Sequence, residues 1–547
     1  MSGAVLETIP VVDVFAGPGG LGEGFSTYSS NLARFDIKLS MEVDPIACNT
    51  LQLRTFFHLS KGTSAQDDYY ACVRGEISKE KLALDNMELW RAAQDRVVNV
   101  ELGAANSRLS THRRIHNAVS GKDFVLIGGP PCQAYSIIGR SRRLGVGANP
   151  TDSNASRARK KLEAEFYSDP KHRLYREYLE IIAVHRPAAF VMENVKGLGS
   201  ARSSSLDEKG GMFELIKADL KQPAKALQSS IHKELTREFG ELKTTGYRLF
   251  ALSNKGALFA DEPTRASDFV LQSEDYGVPQ ARHRVIVLGL RDDIEGIPRK
   301  LAQQSPVSAR EVLEGLPALR SSVSRSDEDW CSAIASELSR IPARLQSDLQ
   351  IPKWLRAIRS KSRRMSTGGA WLPGSAEVSK SLIVKLLTDS EIGGFLQHEA
   401  RSHMRSDLVR YLYCAAFADR HGRSPSIEEW PASLRPSHKN VKSHRGKLRS
   451  SGFLDRFKVQ GIVDSYGNGR PSSTVTSHIA KDGHYYIHFD PTQCRSLSVR
   501  EAARLQTFPD NYFFCGNRTQ QYQQVGNAVP PFLARQIAAI VAGVVAS

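Results

Sequence analysis

The chain has 547 residues, 41% of them hydrophobic, and carries a formal net charge of +16 at pH 7. This length allows two or three domains with a sizeable core. No segment approaches the roughly 20 apolar residues that a membrane span needs, so we expect a soluble protein without a membrane partner. The positive charge favours a polyanionic partner, most simply nucleic acid.

Seven cysteines are spread along the chain, and none forms a Cys-x-x-Cys pair. Their odd number and their spacing argue against a zinc site and against a disulfide framework. The N-terminus lacks a basic head followed by an apolar stretch, so we expect no export signal. The sequence therefore predicts a cytoplasmic protein with free thiols and no metal.

The first 60 residues predict a strand, a glycine-rich turn that opens a helix, and a second strand. The buried run at 10–15 leads into Gly-x-Gly-x-x-Gly at 17–22, the dinucleotide-binding fingerprint, and Glu42 follows where a carboxylate can accept hydrogen bonds from a ribose. The fingerprint alone leaves NAD, FAD and S-adenosylmethionine open. Asp13 before the turn and Phe15 within it favour a ligand with a cationic or amino-acid end.

A polar stretch at 58–120 predicts a largely helical insertion, and the next strand, at 124–127, runs into Gly-Gly-Pro-Pro-Cys-Gln at 128–133. Proline fixes φ, so this turn keeps its shape. Open α/β sheets bind ligands at the carboxyl edge of their strands, which is where Cys132 would stand. An inert buried cysteine is the alternative interpretation.

The alternation of strands and helices continues to residue 290. A strand at 188–192 is followed directly by Glu193, and Arg282 and Arg284 lie just before a strand at 285–290. Two residues at i and i+2 share a face when the backbone is extended. We therefore predict a doubly wound α/β sheet with a thiol, a carboxylate and two guanidinium groups at one edge.

Basic residues concentrate in three segments. A loop at 139–161 holds arginines and lysines among glycine, serine and asparagine, and the runs at 351–365 and 435–449 contain no acid. Residues 291–470 together carry 30 Lys and Arg against 20 Asp and Glu, which is more than half of the net charge. Each run is either a surface that binds the phosphates of a nucleic acid or merely a solvated face.

Six motifs in this order resemble those of the DNA cytosine-5 methyltransferases of the bacterial restriction-modification type. They are the cofactor motif at 13–20, the nucleophile motif at 129–133, the acid motif at 193–195, the arginine motif at 280–284, a late structural motif at 495–509 and a last motif at 524–531. Together they span nearly the whole chain. Two departures are the long gaps between Glu42 and Pro130 and between Cys132 and Glu193.

The resemblance implies a Rossmann-like S-adenosylmethionine-dependent methyltransferase domain and a smaller, basic target-recognition domain. Residues 1–290 would form the catalytic domain, with an insertion at 58–120 and a catalytic loop at 133–165. Residues 291–470 would form the recognition domain, and 471–547 would return to complete the catalytic domain.

The resemblance also implies roles for individual residues. Cys132 would add to C6 of a flipped-out cytosine, Glu193 would bind N3 and the exocyclic amine, Arg284 would hold O2, and Arg282 would support the loop or the base. The implied S-adenosylmethionine-binding residues are Asp13, Phe15, Gly17, Gly19, Gly20, Glu42, Pro131, Asn527 and Val529. The implied DNA-binding residues are Arg140, Arg142, Arg143, Lys353, Arg356, Lys442 and Arg445.

The expected partner is double-stranded DNA, with a cognate restriction endonuclease acting separately and the enzyme itself a monomer. Glu101 is a candidate for the family's third cofactor-contacting acid. Three alternatives remain open at this point: a transfer-RNA cytosine-5 methyltransferase, a catalytically inactive DNA-binding homologue, and a nicotinamide or flavin oxidoreductase that rests on the glycines alone.

Overall fold

The computed structural model describes most of the chain. The described residues are 7–31, 33–104, 106–131, 173–200, 211–227, 233–253, 265–375, 381–436, 453–481 and 483–546. Cys132, the basic loop at 139–161 and, among the predicted DNA-binding residues, Arg140, Arg142, Arg143, Lys442 and Arg445 lie outside them.

A mixed β-sheet organises the first 291 residues. Its strands are β1 (Glu7–Val14), β2 (Ala33–Glu42), β3 (Val97–Asn99), β4 (Val125–Gly128), β5 (Ala189–Val195), β6 (Tyr247–Phe250), β7 (Val270–Gln272) and β9 (His283–Arg291). The order is β3-β2-β1-β4-β5-β9-β6, and β7 also pairs with β9. The first five strands are parallel, whereas β9 runs antiparallel to its neighbours.

The remaining strands are short. They are β8 (Gln280–Ala281), β10 (Gly368–Pro373), β11 (Gly394–Glu399), β12 (Val459–Gln460), β13 (Ser472–Ser473) and β14 (Ile487–His488). β10 and β11 form an antiparallel pair, while β13 lies parallel to β8 and so joins the segment after residue 470 to the arginine motif.

Helices surround the sheet and build the rest of the described chain. The α-helices are Gly20–Ser26, Pro45–Ser60, Ala65–Arg74, Lys79–Asp85, Met87–Asp95, Arg108–Val119, Arg173–His185, Gly211–Lys221, Pro223–Leu227, Lys233–Phe239, Ala309–Leu313, Trp330–Glu337, Ala343–Asp348, Ile351–Ser362, Leu382–Leu387, Arg405–His421, Val499–Leu505, Arg518–Asn527 and Pro531–Val545. Short 3-10 turns connect several of them.

Each face of the sheet carries its own hydrophobic core. One core packs the helices Arg108–Val119 and Arg173–His185 against the strands, and the other packs the last helix, Pro531–Val545. That last helix packs directly on the helix Gly20–Ser26. The two backbones come so close that a Cβ added at Gly24 would lie 2.3 Å from the Ala534 Cβ. The two ends of the described chain therefore share one core.

A separate core lies between Val323 and Cys494 and is built around the helix Arg405–His421. A further cluster joins residues 309–313 and 383–387 to the C-terminal segment. Because this cluster combines residues from before and after 470, the hydrophobic packing does not separate the chain into domains at 291 or at 470. The predicted domain boundaries therefore stay a prediction.

The α/β class predicted from the sequence is confirmed, and the structure adds two features that the pattern missed. β9 runs antiparallel to its neighbours. The sequence did not show this, because a buried apolar run has the same pattern in either orientation. β3 is three residues long and lies within the insertion, which is otherwise helical as expected. Predicted and observed ends differ by a few residues, as at β5, which extends through Glu193 to Val195.

One stretch of the described residues, Arg518–Val545, is long and apolar enough to cross a membrane by length and composition. Some 61% of its most apolar window is buried inside the protein. The core helix of a soluble protein passes the same test, so this is weak evidence for a membrane span.

Candidate active site

The carboxyl ends of the parallel strands open into one cavity of about 890 Å³. Because β9 is antiparallel, its first residues reach the same edge. Among the predicted site residues, those that line the cavity are Asp13, Phe15, Gly17, Gly20, Glu42, Pro131, Glu193, Arg282, Arg284, Asn527 and Val529. Gly19 instead lines a smaller cavity of about 340 Å³, and Cys132 directly follows the lining residue Pro131 in the chain.

Glu42 fixes the glycine turn. Its Oε2 accepts a hydrogen bond from the Gly17 N–H at 2.8 Å, and its Oε1 accepts two from the N–H groups of Val43 and Asp44 at 2.9 Å each. Gly17 has φ +56°, a conformation that suits glycine, and a Cβ there would meet open space. The turn thus presents bare backbone beside a carboxylate that is held in place.

Asp13 is buried at the end of β1, with 1% of its surface exposed. No hydrogen bond of normal geometry reaches either carboxylate oxygen from the described residues, and only the Gly22 backbone N–H lies near enough to favour its charge. Burial, followed by the nearby Glu42 charge, outweighs that contact and raises the pKa of Asp13 well above its usual range. A buried acid with so little hydrogen bonding that lines a cavity fits a ligand carrying its own cationic donor.

Phe15 follows with φ +54°, a left-handed conformation that costs a non-glycine residue about 1–2 kcal/mol. Phe15 lines the cavity. Residues with a strained backbone conformation are often found at functional sites, which fits this position.

The C-terminal segment closes the cavity from the opposite side. A Cβ at Gly20 would lie 2.2 Å from the carbonyl oxygen of Val529, so only glycine allows this approach. Asn527 and Val529 thereby face the glycine turn although they lie some 500 residues away along the chain.

Glu193 and Arg284 form an ion pair at the far wall. Arg284 Nε lies 2.9 Å from Glu193 Oε1, and Arg284 Nη1 donates to the His283 carbonyl at 2.8 Å. A Cβ at Gly129 would come 2.9 Å from Glu193 Oε2, so the glycine leaves room for the carboxylate against the turn. The pair remains partly accessible, with 15–17% of each side chain exposed.

Arg282 lies deeper than Arg284. Its guanidinium donates to the carbonyls of Val475 at 2.8 Å, Gly526 at 3.1 Å and Asn527 at 3.5 Å. Burial and the charge of Arg284 lower its pKa to about 9, so it stays protonated at neutral pH. These contacts tie the last cavity segment to the strand that carries Arg284.

Several lining residues were missed at the level of sequence. Thr476, Ser477 and His478 reach the cavity because β13 pairs with β8, a long-range contact with no local signal. Gln523 and Gln524 lie on the helix Arg518–Asn527, within or beside the last motif. Glu101 also lines the cavity, just beyond β3.

Comparison with known proteins identifies the family. The C-5 cytosine-specific DNA methylase family matches residues 111–220 and 266–542, well over half of the chain. The chain belongs to the C-5 cytosine-specific DNA methylases. The resemblance inferred from the motifs is therefore confirmed, and the oxidoreductase alternative is wrong.

Curated relatives of the chain include bacterial type II methyltransferases. The type II methyltransferase M.Bpa9945I of Bacillus paralicheniformis is 28% identical over 559 residues, covering 98% of this chain and 99% of its own. M.AgeI of Thalassovita gelatinovora is 27% identical over 434 residues, covering 76% and 82%. A solved putative DNA modification methyltransferase from an E. coli prophage is 15% identical, with coverage of 98% and 100% and a TM-score of 0.49.

A C-5 cytosine-specific DNA methylase transfers a methyl group from S-adenosylmethionine to cytosine in DNA. The cavity fits that cofactor on three observations: the buried, poorly hydrogen-bonded carboxylate of Asp13, the open backbone at Gly17, and the fixed carboxylate of Glu42. The protein is accordingly an enzyme whose substrate is DNA.

Proposed function

We propose that this methylase modifies C5 of one cytosine in a specific double-stranded DNA sequence, and that the cytosine leaves the helix to enter the 890 Å³ cavity. A stacked base cannot be reached by groups on both of its faces, so the enzyme has to extrude it. The observation that carries the proposal is that one cavity joins the Glu193–Arg284 pair, the turn leading to Cys132 and the glycine turn.

Cys132 acts as the nucleophile. Its thiolate adds to C6 of the cytosine, and the new sulfur–carbon bond makes C5 nucleophilic. S-adenosylmethionine would supply the methyl group as an electrophilic sulfonium, and its sulfur–methyl bond would break to release the neutral thioether S-adenosylhomocysteine. Once C5 is methylated, water or a nearby base removes the C5 proton, the ring double bond re-forms and the thiolate leaves. Covalent addition thus divides one difficult substitution into easier steps.

Glu193 and Arg284 hold the base. Addition at C6 pushes negative charge toward N3 and O2. Glu193 binds N3 and the exocyclic amine, where a shared proton disperses that charge, and the Arg284 guanidinium binds O2. Their ion pair at 2.9 Å supports this assignment, because it orients both groups before the base arrives.

The glycine turn and the C-terminal segment hold the cofactor. Asp13 pairs with its ammonium group, Glu42 accepts from ribose hydroxyls, and Phe15, Gly17, Gly20, Pro131, Asn527 and Val529 provide the remaining walls. Glu101 serves as the third acid, near the adenine, which its position in the lining beyond β3 supports.

Replacing Asp13 with asparagine is expected to weaken S-adenosylmethionine binding and to change its pH dependence. In the free enzyme the pKa of Asp13 is raised, so the carboxyl is protonated below that value and cannot pair with an ammonium group. Affinity should therefore rise as pH rises through the raised pKa in the wild type, and the variant should lose this rise. Calorimetric titration across pH measures both.

The stability of Asp13→Asn provides the control. Because the folded pKa is raised above the unfolded value, ionising Asp13 destabilises the ligand-free fold as pH increases. The melting temperature of the variant should thus equal or exceed that of the wild type above neutral pH. An unaltered pH profile of affinity would contradict the assignment.

Residues 291–470 carry target recognition in this proposal. On the helix Ile351–Ser362, Ile351 and Ile358 are buried, whereas Lys353 and Arg356 are exposed, with Lys353 lying over the Trp354 ring. An exposed cationic face anchored by two apolar residues suits contact with phosphates. The proposed DNA contacts are completed by Arg140, Arg142, Arg143, Lys442 and Arg445.

The double variant Lys353→Gln with Arg356→Gln is expected to bind DNA more weakly and with a shallower salt dependence. For every phosphate that the protein no longer neutralises, the slope of log K against log salt should fall by about 0.9. Gel-shift titration at several salt concentrations measures the slope. The matched control is the double variant Lys122→Gln with Lys243→Gln. These two exposed lysines precede β4 and β6, at the edge of the sheet opposite the 890 Å³ cavity. If the slope of log K against log salt is the same for both double variants, the cationic face of the helix Ile351–Ser362 is only solvated and does not contact DNA phosphates.

The biological setting is also proposed. The type II relatives support a role in a restriction-modification system, with a cognate endonuclease acting separately. We propose that the enzyme works as a monomer in the cytoplasm.

The direct test is transfer of tritiated methyl groups from S-adenosylmethionine to duplex DNA and, in parallel, to transfer RNA. The proposal expects label in DNA that is recovered as 5-methyldeoxycytidine after digestion. Label in transfer RNA alone would favour the RNA-modifying alternative. Label in neither, with DNA still bound, would favour an inactive homologue.

A further inference from the structure

The turn that leads to residue 132 is anchored by a side chain from the neighbouring strand. Pro130 and Pro131 lack N–H groups, so the turn has few amide donors with which to brace itself. Asn194 Nδ2 donates a hydrogen bond to the Pro130 carbonyl at 3.2 Å, and Asn194 itself is only 4% exposed. A buried hydrogen bond of this kind stays in place, because water cannot replace it cheaply.

The orientation of the Asn194 amide is determined by a second bond. Its Oδ1 accepts from the Val195 N–H at 2.9 Å, so its Nδ2 is the end that faces Pro130. The neighbouring residue Glu193 forms the ion pair with Arg284. Consecutive residues at the end of β5 therefore hold the acid on one side and the proline turn on the other.

We propose that Asn194 is a positioning residue that sets the distance between the nucleophile and the base held by Glu193. The inference rests on the proposed function, in which residue 132 attacks C6. Asn194 also lines the 890 Å³ cavity, but its amide is already engaged by the Pro130 carbonyl and the Val195 N–H, so we assign it no contact with the base or the cofactor. It acts through Pro130 and Pro131, two stiff residues that transmit a fixed carbonyl position to the next residue.

Replacing Asn194 with alanine is expected to slow the covalent step and to spare binding. A displacement of about 1 Å in a reacting group costs about 100-fold in rate, so kcat should fall between about 10- and 100-fold. The KM for DNA and the affinity for S-adenosylmethionine should stay within about twofold of the wild type, because the residues that bind both are unchanged.

Aspartate at position 194 gives a signature that loss of packing would not. An ionised carboxylate cannot donate to the Pro130 carbonyl, whereas a protonated one can. The ratio of Asn194→Asp to wild-type adduct formation should therefore rise as pH falls from about 8 to about 5.5, since burial raises the pKa of an aspartate. Glu193 and Arg284, the charged groups beside it, are present in both proteins, so the ratio removes their own part in adduct formation, while their charges help to set the pH at which the introduced carboxyl takes up its proton.

The experiment measures the rate at which duplex DNA containing 5-fluorocytosine and S-adenosylmethionine form a denaturation-resistant complex with the full-length protein. Fluorine at C5 cannot leave as a proton does, so the adduct accumulates. Slow trapping by Asn194→Ala, with normal binding and a pH-dependent ratio for Asn194→Asp, supports the proposal. Trapping by Asn194→Ala at the wild-type rate overturns it, as does a ratio for Asn194→Asp that is independent of pH. If the wild type itself traps nothing, the covalent function fails instead.

Discussion

Replacing Cys132 with serine should abolish methyl transfer while DNA and S-adenosylmethionine still bind. A thiol is a few per cent ionised at neutral pH and is intrinsically very nucleophilic, whereas a serine hydroxyl is neither. Removing a covalent nucleophile costs on the order of 10⁵-fold or more in kcat. The drop is measured as tritium transfer to duplex DNA, with gel shift and calorimetry reporting the two bindings.

A second cysteine provides the matched control. Cys331 is a partly exposed free thiol that packs against the core between Val323 and Cys494. Neither Cys331 nor any residue of that core lines the 890 Å³ cavity. Cys331→Ser should retain activity within about twofold, since isolated surface changes shift stability little. Residual transfer by Cys132→Ser above a few per cent of the wild-type rate would remove Cys132 from the nucleophile role.

Replacing Arg54 with alanine should destabilise the fold by about 3–5 kcal/mol, because it leaves the buried Glu23 carboxylate with His58 as its remaining partner and removes the stronger of its two cationic contacts. Arg54 donates to Glu23 through Nε at 2.8 Å and Nη2 at 2.5 Å, and both side chains are less than 10% exposed. A third donor of Arg54, Nη1, reaches Asn511 Oδ1 at 2.9 Å. The pair thus links the glycine-turn helix to the segment after the late motif. Urea denaturation measures the loss.

The pH dependence of this loss follows from Glu23. Although burial opposes ionisation, the charges of Arg54 and His58 hold the pKa of Glu23 well below its usual range. The pair therefore stabilises the fold above the unfolded pKa, and this contribution fades only as pH falls through the lowered folded value. In Arg54→Ala, Glu23 keeps its contact with His58 but loses the arginine charge. It therefore takes up a proton more readily, and the difference in unfolding free energy should shrink toward acidic pH.

The double variant Glu23→Gln with Arg54→Met tests whether the charge or the shape matters. Replacing both members of a buried ion pair with neutral groups of similar volume is often close to neutral. We expect it to recover most of the stability that Arg54→Ala removes. A single-variant loss below about 1 kcal/mol would mean that the pair behaves as a surface ion pair.

The parts of the active site that lie within short motifs could be predicted from the sequence. Gly17, Glu42 and Glu193 each stand directly after an apolar run or at a fixed spacing from one, and parallel strands bring such positions to one edge. The turn at 128–131 was predicted for the same reason. In these cases the local signal and the tertiary outcome coincide.

Long-range contacts could not be predicted in this way. The contacts of Arg282 with Val475 and Gly526 join residues about 200 or more positions apart, and no spacing rule encodes them. Glu101 was a candidate through the family resemblance, but its place in the cavity lining depends on the three-residue strand before it, which is too short to leave a pattern. Asn194 lies within a motif, yet its bond to Pro130 depends on the pairing of β4 with β5.

Bisulfite sequencing of genomic DNA from cells that express the protein reports C5 methylation base by base, because bisulfite converts cytosine but spares 5-methylcytosine. We expect protection at one cytosine within one recurring sequence, and complete conversion of that cytosine in cells that express Cys132→Ser. Full conversion throughout the genome, in cells where the wild-type protein is present and folded, would show that the enzyme does not methylate C5 of cytosine in DNA.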